Sequence, residues 1–164
     1  MSQWVVDTNV MIVANGRHDG ERAVSANCRA ASVEFLLALL SGNNCVLVDF
    51  ADAVLTEYRK YLNPNGQPGV GDRFLQELYR DVNRIHRVEL PVGADGEYAD
   101  LPPEIVASGF DPSDRKFAAL AVKQDAPVAN SVDSDWLEDL EVLTDCGVKL
   151  HLVCGADQAF WYEG

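Results

Sequence analysis

Short, unbroken apolar runs alternate with helical segments along the chain, and this alternation constrains the fold more than any other feature. Five runs have the length and composition of buried strands: WVV (4–6), CVLVDF (45–50), RVELP (87–91), PVANS (127–131) and VKLHLV (148–153). Continuously apolar strands separated by helices indicate a parallel sheet that is covered on both faces. The pattern therefore predicts an α/β fold, a three-layer α/β/α sandwich with a central, mainly parallel sheet of about five strands.

The segments between these runs have helical spacing and ordinary start and stop signals. They predict helices over about 26–40, 51–62, 72–85, 113–124 and 134–146, with a short helix after Pro102-Pro103. No repeat or linker divides the 164 residues, so we expect residues 1–164 to form a single domain. No apolar run approaches the ~18 residues that span a bilayer, and no signal peptide is recognisable, so no membrane partner is expected.

The cysteines and the net charge narrow the class of protein. The four cysteines are widely scattered and form no CxxC pair, which predicts reduced, mostly buried thiols and a cytoplasmic location. Twenty-six acidic and thirteen basic residues give a formal charge of −13. This charge argues against nucleic-acid binding through a broadly basic surface, although a local basic stripe remains compatible with it. It also suits a protein that binds divalent cations.

Acidic residues recur near the carboxyl ends of the predicted strands, where ligands gather in parallel sheets. Five acids have such positions: Asp7 at the end of the first strand, Glu57 in the helix after the second, Asp114 at the start of a later helix, and Asp133 and Asp135 after PVANS. Converging carboxylates repel one another and take up protons unless a cation lies between them. Because oxygen-only ligands select Mg²⁺ or Mn²⁺ over zinc, the ordered set predicts a site for such an ion.

Each acid also has an ordinary structural explanation when it is considered alone. Asp7 could cap a helix that begins near Asn9, and Asp114 could be the acid of a capping box. Ser134 or Asp133 could cap the helix that follows them, and Glu57 on a helix is ordinarily a solvated residue. Only the set of acids, taken in order, favours a metal site.

Four segments, in order, resemble the acidic motifs of the PIN-domain nucleases: VVDTNV, LTEYR, DPSDRKFAALA and VANSVDSDW. The resemblance spans about residues 4–153 and implies a PIN-like α/β/α fold. In that family the matching acids hold one or two Mg²⁺ or Mn²⁺ ions, which implies catalytic and metal-binding roles for Asp7, Glu57, Asp114 and Asp133, with Asp135 as an outer or fifth acid. The motifs leave open whether Asp133 or Asp135 is the closer ligand.

The resemblance also implies supporting residues and an activity. Asn9 matches the polar residue that follows the first aspartate by two positions, and Ser131 stands where the family often has a threonine or serine beside the metal site. The implied activity is that of an endoribonuclease, which uses the metal to activate water against RNA phosphodiester bonds. Small free-standing members are often toxins of toxin–antitoxin modules, which implies RNA as the substrate and an antitoxin protein as a partner.

Basic residues provide candidates for holding an RNA strand. Arg115 and Lys116 adjoin Asp114, so they are the better candidates for contact with a scissile strand. Three further arginines align on one face of the predicted helix 72–85: Arg73, Arg80 and Arg84. An ordinary solvated face, with neighbouring acids paired to these arginines, is the favoured explanation of that alignment.

Rival functions fit the residues less well. A haloacid-dehalogenase-type phosphatase needs a second acid two residues after Asp7, where this chain has Asn9. A phospho-receiver could use Asp49, but its other acidic residues and lysine are not evident, and Asp49 is better explained as the cap of the helix bearing Glu57. The serious alternative is a non-catalytic PIN-like module that binds RNA or protein.

The aromatic tail AFWYEG is explained by packing on the domain, or else by a homodimer or partner contact.

Overall fold

A parallel sheet runs through the centre of the fold in the computed structural model, which describes residues 1–18, 20 and 22–164. Within these residues its five strands are β1 (Ser2–Val6), β2 (Asn44–Asp49), β3 (Ile85–Val88), β4 (Val128–Asn130) and β5 (Leu150–Leu152). Their spatial order is β3-β2-β1-β4-β5, and every neighbouring pair is parallel. The predicted parallel sheet of about five strands is therefore confirmed.

Helices flank this sheet, which confirms the predicted three-layer α/β/α arrangement. Among the described residues they are α1 (Thr8–Ala14), α2 (Ala26–Ser41), α3 (Ala53–Tyr61), α4 (Val70–Arg80), α5 (Pro103–Ala107), α6 (Arg115–Gln124), α7 (Asp135–Glu138) and α8 (Leu140–Asp145). Helices α1, α2 and α4 contact one another, and α3 contacts α6. Over the part of the chain that the structure describes, no helix is both long and apolar enough to cross a membrane.

Two apolar clusters fill the interior of the part of the chain that the structure describes. The larger one combines the central strands with the inner faces of the helices, as the unbroken apolar runs require. The smaller one, which we call the second cluster, consists of Val13, Cys28, Val132 and Trp161. It joins α1 and α2 to the C-terminal segment and to the loop that follows β4. The second cluster therefore supports the backbone directly before Asp133.

The helix predicted over 72–85 is wrong at its C-terminal end. Helix α4 ends at Arg80 because Asp81 has an extended backbone (φ −126°, ψ 104°), and its side chain accepts a hydrogen bond from the Asn83 backbone N–H at 3.0 Å. Residues from Ile85 onward pair with β2, so β3 begins two residues before its predicted start at residue 87. The arginine face predicted along this helix is therefore interrupted after Arg80.

The helix predicted over 134–146 is likewise two short helices, α7 and α8, which are separated at Asp139. Strand β3 ends at Val88, three residues before its predicted end at residue 91, and the remaining predicted elements agree with the structure within two residues at each end. The short helix expected after Pro102-Pro103 is α5. Asp49 accepts hydrogen bonds from the backbone N–H groups of Ala53 and Val54, at 3.0 and 2.9 Å, so it caps the helix that bears Glu57 as expected.

The prediction of four reduced thiols is wrong for two of the cysteines. Cys28 on α2 and Cys154 after β5 form a disulfide with a Cα–Cα distance of 5.0 Å, although 126 positions separate them. Scattered cysteines give no sign of their pairing, and only the fold brings α2 beside the end of β5. Among the described residues Cys45 and Cys146 are free. The cytoplasmic location was predicted from four reduced thiols, and only Cys45 and Cys146 still support that prediction.

Candidate metal centre

The carboxyl ends of β1 and β4 lie side by side, which brings Asp7 next to the loop that carries Asp133. Val6 pairs with Ala129, and the Asp7 backbone N–H donates to the Ala129 carbonyl oxygen at 3.0 Å. Strand β4 ends at Asn130, just before this loop. The sheet register therefore unites two acids that are distant in sequence.

Asp7 is buried and caps helix α1. Its Oδ1 accepts a hydrogen bond from the Asn9 backbone N–H at 3.1 Å, which is the N-cap arrangement. Its Oδ2 accepts a hydrogen bond from the indole Nε1–H of Trp136 at 2.7 Å. Asp7 is therefore the helix cap that the sequence left open as an alternative, and it still directs a carboxylate toward the other acids.

Three carboxylates converge at this edge of the sheet. Side-chain oxygens of Asp7, Asp114 and Asp133 lie within 4.8 Å of one another, and we call these three residues the acid triad. Asp114 directly precedes helix α6. A second group at the same spacing contains Asp111, Asp114 and Asp135. Asp114 therefore belongs to both groups, while Asp133 groups with Asp7 and Asp135 groups with Asp111.

Burial and mutual repulsion raise the pKa values of these acids. Burial, followed by the charges of Asp7 and Asp133, raises the pKa of Asp114 to about 10. Burial and the charge of Asp133 raise the pKa of Asp7 to about 7, against two hydrogen bonds that lower it. Burial also raises the pKa of Asp133, and burial and the Asp133 charge raise that of Asp135 to about 6. Without a cation, the acid triad therefore retains protons near neutral pH.

Asn9 holds the loop that carries Asp133. Its Oδ1 accepts hydrogen bonds from the backbone N–H groups of Ser131 and Val132, at 2.9 and 3.0 Å. Its Nδ2 donates to Asn130 Oδ1 at 2.8 Å. Asn130 in turn accepts from the Asp133 N–H at 3.1 Å and donates to the Asp133 carbonyl oxygen at 3.0 Å. The two asparagines therefore fix the position of Asp133 relative to α1.

Comparison with known proteins identifies the fold. No family model matches the chain, and no curated protein matches it. Among solved structures, VapBC2 from Rickettsia felis, bound to a DNA fragment from their promoter, aligns with a TM-score of 0.51. The two chains are 14% identical, and the alignment covers 92% of this chain and 98% of that one. The chain has a PIN-like fold.

Two further solved structures align with this PIN-like chain. FitAcB from Neisseria gonorrhoeae has a TM-score of 0.49 and 16% identity, over 92% of this chain and 97% of that chain. A domain of a functionally unknown protein from Methanocaldococcus jannaschii has a TM-score of 0.45 and 14% identity, over 96% and 94% of the two chains.

Within the PIN-like fold, Glu57 is paired with a lysine. Glu57 Oε1 accepts a hydrogen bond from Lys116 Nζ at 2.8 Å, and Oε2 accepts one from Thr8 Oγ1. Lys116 Nζ also donates to the Ser113 carbonyl oxygen, and Lys116 is only 8% exposed. Among the described residues, Glu57 lies outside both groups of acids whose oxygens are within 4.8 Å. Its role as a metal ligand stays a prediction.

A cleft of about 530 Å³ opens at this edge of the PIN-like fold. Its walls include Asp7, Asp114, Glu57, Lys116 and Tyr98. Two members of the acid triad and the Glu57–Lys116 pair therefore border the same accessible space.

Arg115 and Ser131 are engaged with partners of their own. Arg115 Nη1 forms an ion pair with Glu97 at 2.8 Å, and its Nε–H donates to the Phe110 carbonyl oxygen at 2.9 Å. The Ser131 hydroxyl is hydrogen-bonded to the Ser32 hydroxyl on α2 at 2.8 Å, and both are fully buried. Ser131 therefore links the loop after β4 to α2, whereas a contact with metal or RNA stays a prediction for these residues.

The arginines after residue 70 do not form one helical face. Arg73 and Arg80 are exposed on α4, whereas Arg84 lies beyond the end of that helix. Two of the three are paired with neighbouring acids: Arg80 with Glu77 at 3.5 Å and Arg84 with Asp81 at 3.6 Å. These pairs agree with the solvated-face explanation, and RNA contact by these arginines stays a prediction.

Sequence reasoning missed Trp136 and Asn130. Both side chains are fully buried, and each binds a member of the acid triad, Trp136 through Asp7 Oδ2 and Asn130 through the Asp133 backbone. A partial signal existed, because a buried indole N–H or amide requires a hydrogen-bond partner. The identity of that partner depends on the β1–β4 pairing and could not be read from the local pattern.

Replacing Trp136 with phenylalanine is expected to raise the pKa of Asp7 further, by about one unit, because hydrogen bonds to charged groups contribute about 1.5–3 kcal/mol. The phenyl ring retains most of the apolar contact but donates no hydrogen bond. Carboxyl ¹³C NMR titration would measure the shift. Trp161→Phe is the matched control, since Trp161 is equally buried but its Nε1–H donates to the Gly155 carbonyl oxygen at 2.8 Å. An unchanged Asp7 pKa in Trp136→Phe would contradict the prediction.

Proposed function

We propose that the chain is a metal-dependent endoribonuclease, a single PIN-like domain that hydrolyses RNA phosphodiester bonds. The observation that carries this proposal is the acid triad, whose three carboxylates lie within 4.8 Å of one another. Anionic groups at this density remain ionised only when a cation lies among them. The PIN-like fold shared with VapBC2 is a second support.

The side chains of the acid triad fit a hard divalent cation. All the ligand atoms are carboxylate oxygens, which favour Mg²⁺ or Mn²⁺ over zinc. The raised pKa values of about 7 for Asp7 and about 10 for Asp114 indicate that the site has a deficit of positive charge. Asp7, Asp114 and Asp133 would hold the ion, with Asp135 as an outer acid.

The residues of the chain would position the reacting groups. When bound, the ion supplies Lewis-acid charge, which promotes ionisation of water and offsets charge on the phosphoryl oxygens. Trp136 fixes the Asp7 carboxylate, and Asn9 and Asn130 fix the loop that carries Asp133, so the spacing of the acids exists before a substrate arrives. We propose that Arg115 and Lys116, on α6, contact the phosphates of the RNA strand.

The test is cleavage of a mixed pool of single-stranded and structured RNA with Mn²⁺, with EDTA, and by an Asp114→Asn variant. With a pKa of about 10, the Asp114 carboxyl is protonated in the metal-free protein at neutral pH, so a neutral amide of the same shape preserves the fold. We expect cleavage by the wild type in Mn²⁺ only, and background levels for the variant. The control is Asp145→Asn, which changes an exposed acid at the end of α8 and should cut like the wild type.

Binding without cleavage would contradict the proposal. A folded wild-type protein that binds both Mn²⁺ and RNA but does not cleave the RNA is not a nuclease. That result would favour the alternative function, a non-catalytic PIN-like module that binds RNA or protein.

We also propose that the protein is a toxin restrained by an antitoxin protein that covers the cleft. The fold shared with VapBC2, a toxin–antitoxin complex, supports this proposal. Expression of the chain alone should slow cell growth, and Asp114→Asn should remove that effect. Normal growth with a folded, RNA-cleaving wild type would contradict the toxin role. A homodimer and a cytoplasmic location stay predictions, which light scattering and cell fractionation would measure.

A further inference from the structure

We propose that Lys116 supplies a fixed positive charge in place of a second metal ion. The centre then holds one divalent ion in the acid triad, and Glu57 is a partner of Lys116 and not a metal ligand. This inference rests on the proposed metal-dependent function. It departs from the four-acid ligand set that the sequence implies, in which Glu57 joins the three aspartates.

The contacts of Glu57 are the first support. Both of its carboxylate oxygens are engaged within the protein, Oε1 with Lys116 Nζ at 2.8 Å and Oε2 with the Thr8 hydroxyl. Lys116 Nζ donates in addition to the Ser113 carbonyl oxygen, and the residue is only 8% exposed. A buried ammonium that is paired and hydrogen-bonded in this way leaves its position only at a large cost.

The grouping of the acids is the second support. Asp7, Asp114 and Asp133 lie within 4.8 Å of one another, which suits an ion held by three carboxylates. The second group of acids shares Asp114 with the acid triad, and its Asp111 is solvent-accessible and already accepts two hydrogen bonds from Ser113, so it is the weaker site. Among the described residues, Glu57 is outside this spacing, although it borders the same cleft. A second ion at Glu57 would meet the Lys116 ammonium at the same carboxylate, and the two cations would repel each other.

Lys123, on the same helix α6, forms a similar ion pair away from the acid triad. Its Nζ pairs with Asp100 at 3.0 Å and donates to the Glu89 carbonyl oxygen at 2.6 Å, which repeats the carboxylate-plus-carbonyl arrangement of Lys116. Lys123 does not border the cleft of the acid triad. It is therefore a matched control for the removal of a paired lysine from α6.

The experiment is a count of bound Mn²⁺ ions by electron paramagnetic resonance and isothermal titration calorimetry. We expect one ion in the wild type, two in Lys116→Met and one in Lys123→Met. Methionine removes the charge and keeps an unbranched apolar chain, which frees Glu57 to bind a second ion. Lys116→Arg retains the charge and should keep the count at one.

A second variant covers the case in which an unpaired Glu57 prevents folding of Lys116→Met. The double variant Lys116→Met/Glu57→Gln removes both charges of the pair, and it should fold and bind one ion. Circular dichroism verifies the fold of each protein before ions are counted. Two ions in this double variant would overturn the proposal, because the second ion would then bind at a site other than the Glu57 carboxylate.

Two ions in the wild type would overturn the proposal directly, and so would one ion in a folded Lys116→Met. RNA cleavage is scored separately on the same samples. Two wild-type ions together with cleavage would leave the nuclease function intact and remove the role of Lys116. One wild-type ion, a second in Lys116→Met and no cleavage would support the role of Lys116 while overturning the nuclease function.

Discussion

Replacing Cys28 and Cys154 with serine is expected to lower the free energy of unfolding by about 2–5 kcal/mol. The disulfide joins residues 126 positions apart, and closing so long a loop removes much conformational entropy from the unfolded chain. Cys28 also belongs to the second cluster, together with Val132 and Trp161. Loss of the bond therefore weakens the support of the loop that carries Asp133. Urea denaturation of the wild type and the double-serine variant would measure the change.

Cys146→Ser is the control for this experiment, because Cys146 is free and only partly buried. Its free energy of unfolding should stay within about 0.5 kcal/mol of the wild-type value. Reductant added to the wild type should reproduce the loss seen in the double-serine variant and should have no effect on that variant. Equal denaturation midpoints of the wild type with and without reductant would contradict the prediction.

Raising the pH from about 5 to 8 is expected to destabilise the metal-free protein by roughly 3 kcal/mol or more. An acid whose pKa is raised by folding binds its proton more tightly in the folded state than in the unfolded state. Stability therefore falls with increasing pH, by about 1.4 kcal/mol per unit, between the unfolded and folded pKa values. For Asp7 this interval runs from 3.8 to about 7, and for Asp114 it runs from 3.8 to about 10.

Chemical denaturation in EDTA at a series of pH values would measure this dependence. Saturating Mn²⁺ should remove the loss at high pH, because the ion stabilises the ionised carboxylates of the folded state. Asp114→Asn should show a shallower pH dependence in EDTA, since one of the titrating groups is gone. Stability that is constant or increases with pH in EDTA would refute the prediction.

The fold was predictable because its main signal is local. Unbroken apolar runs must be covered on both faces, and this requirement leads to the parallel sheet without knowledge of any contact. The segment 72–85 shows the limit of local signals. Its sequence keeps the apolar spacing of a helix past Arg80, although the helix itself ends there. The backbone leaves the helix at Asp81, and Ile85 gains strand pairing with β2 instead, so a tertiary contact overrides the local preference.

The convergence of Asp7, Asp114 and Asp133 was predictable from the sequence, whereas the hydrogen-bond partners of these acids were not. Asp7 directly follows β1 and Asp133 lies three residues after β4, so the topology of a parallel sheet places them at one edge. The roles of the acids as metal ligands stay predictions. The pairing of Glu57 with Lys116 joins residues 59 positions apart, and it depends on how α3 packs against α6. The same holds for the indole of Trp136 and for the disulfide, whose partners are set by side-chain directions that no sequence pattern records.

The place of β1 in the sheet has a consequence for synthesis of the protein on the ribosome. Strand β1 precedes the other described strands in the chain, and it lies between β2 and the later strand β4. Asp7 therefore leaves the ribosome before Asp114 and Asp133, and it meets them only after the chain beyond β4 has been translated. A chain that is interrupted before this point carries no acid triad. Under the proposed function, the nascent polypeptide is harmless to the messenger RNA that encodes it.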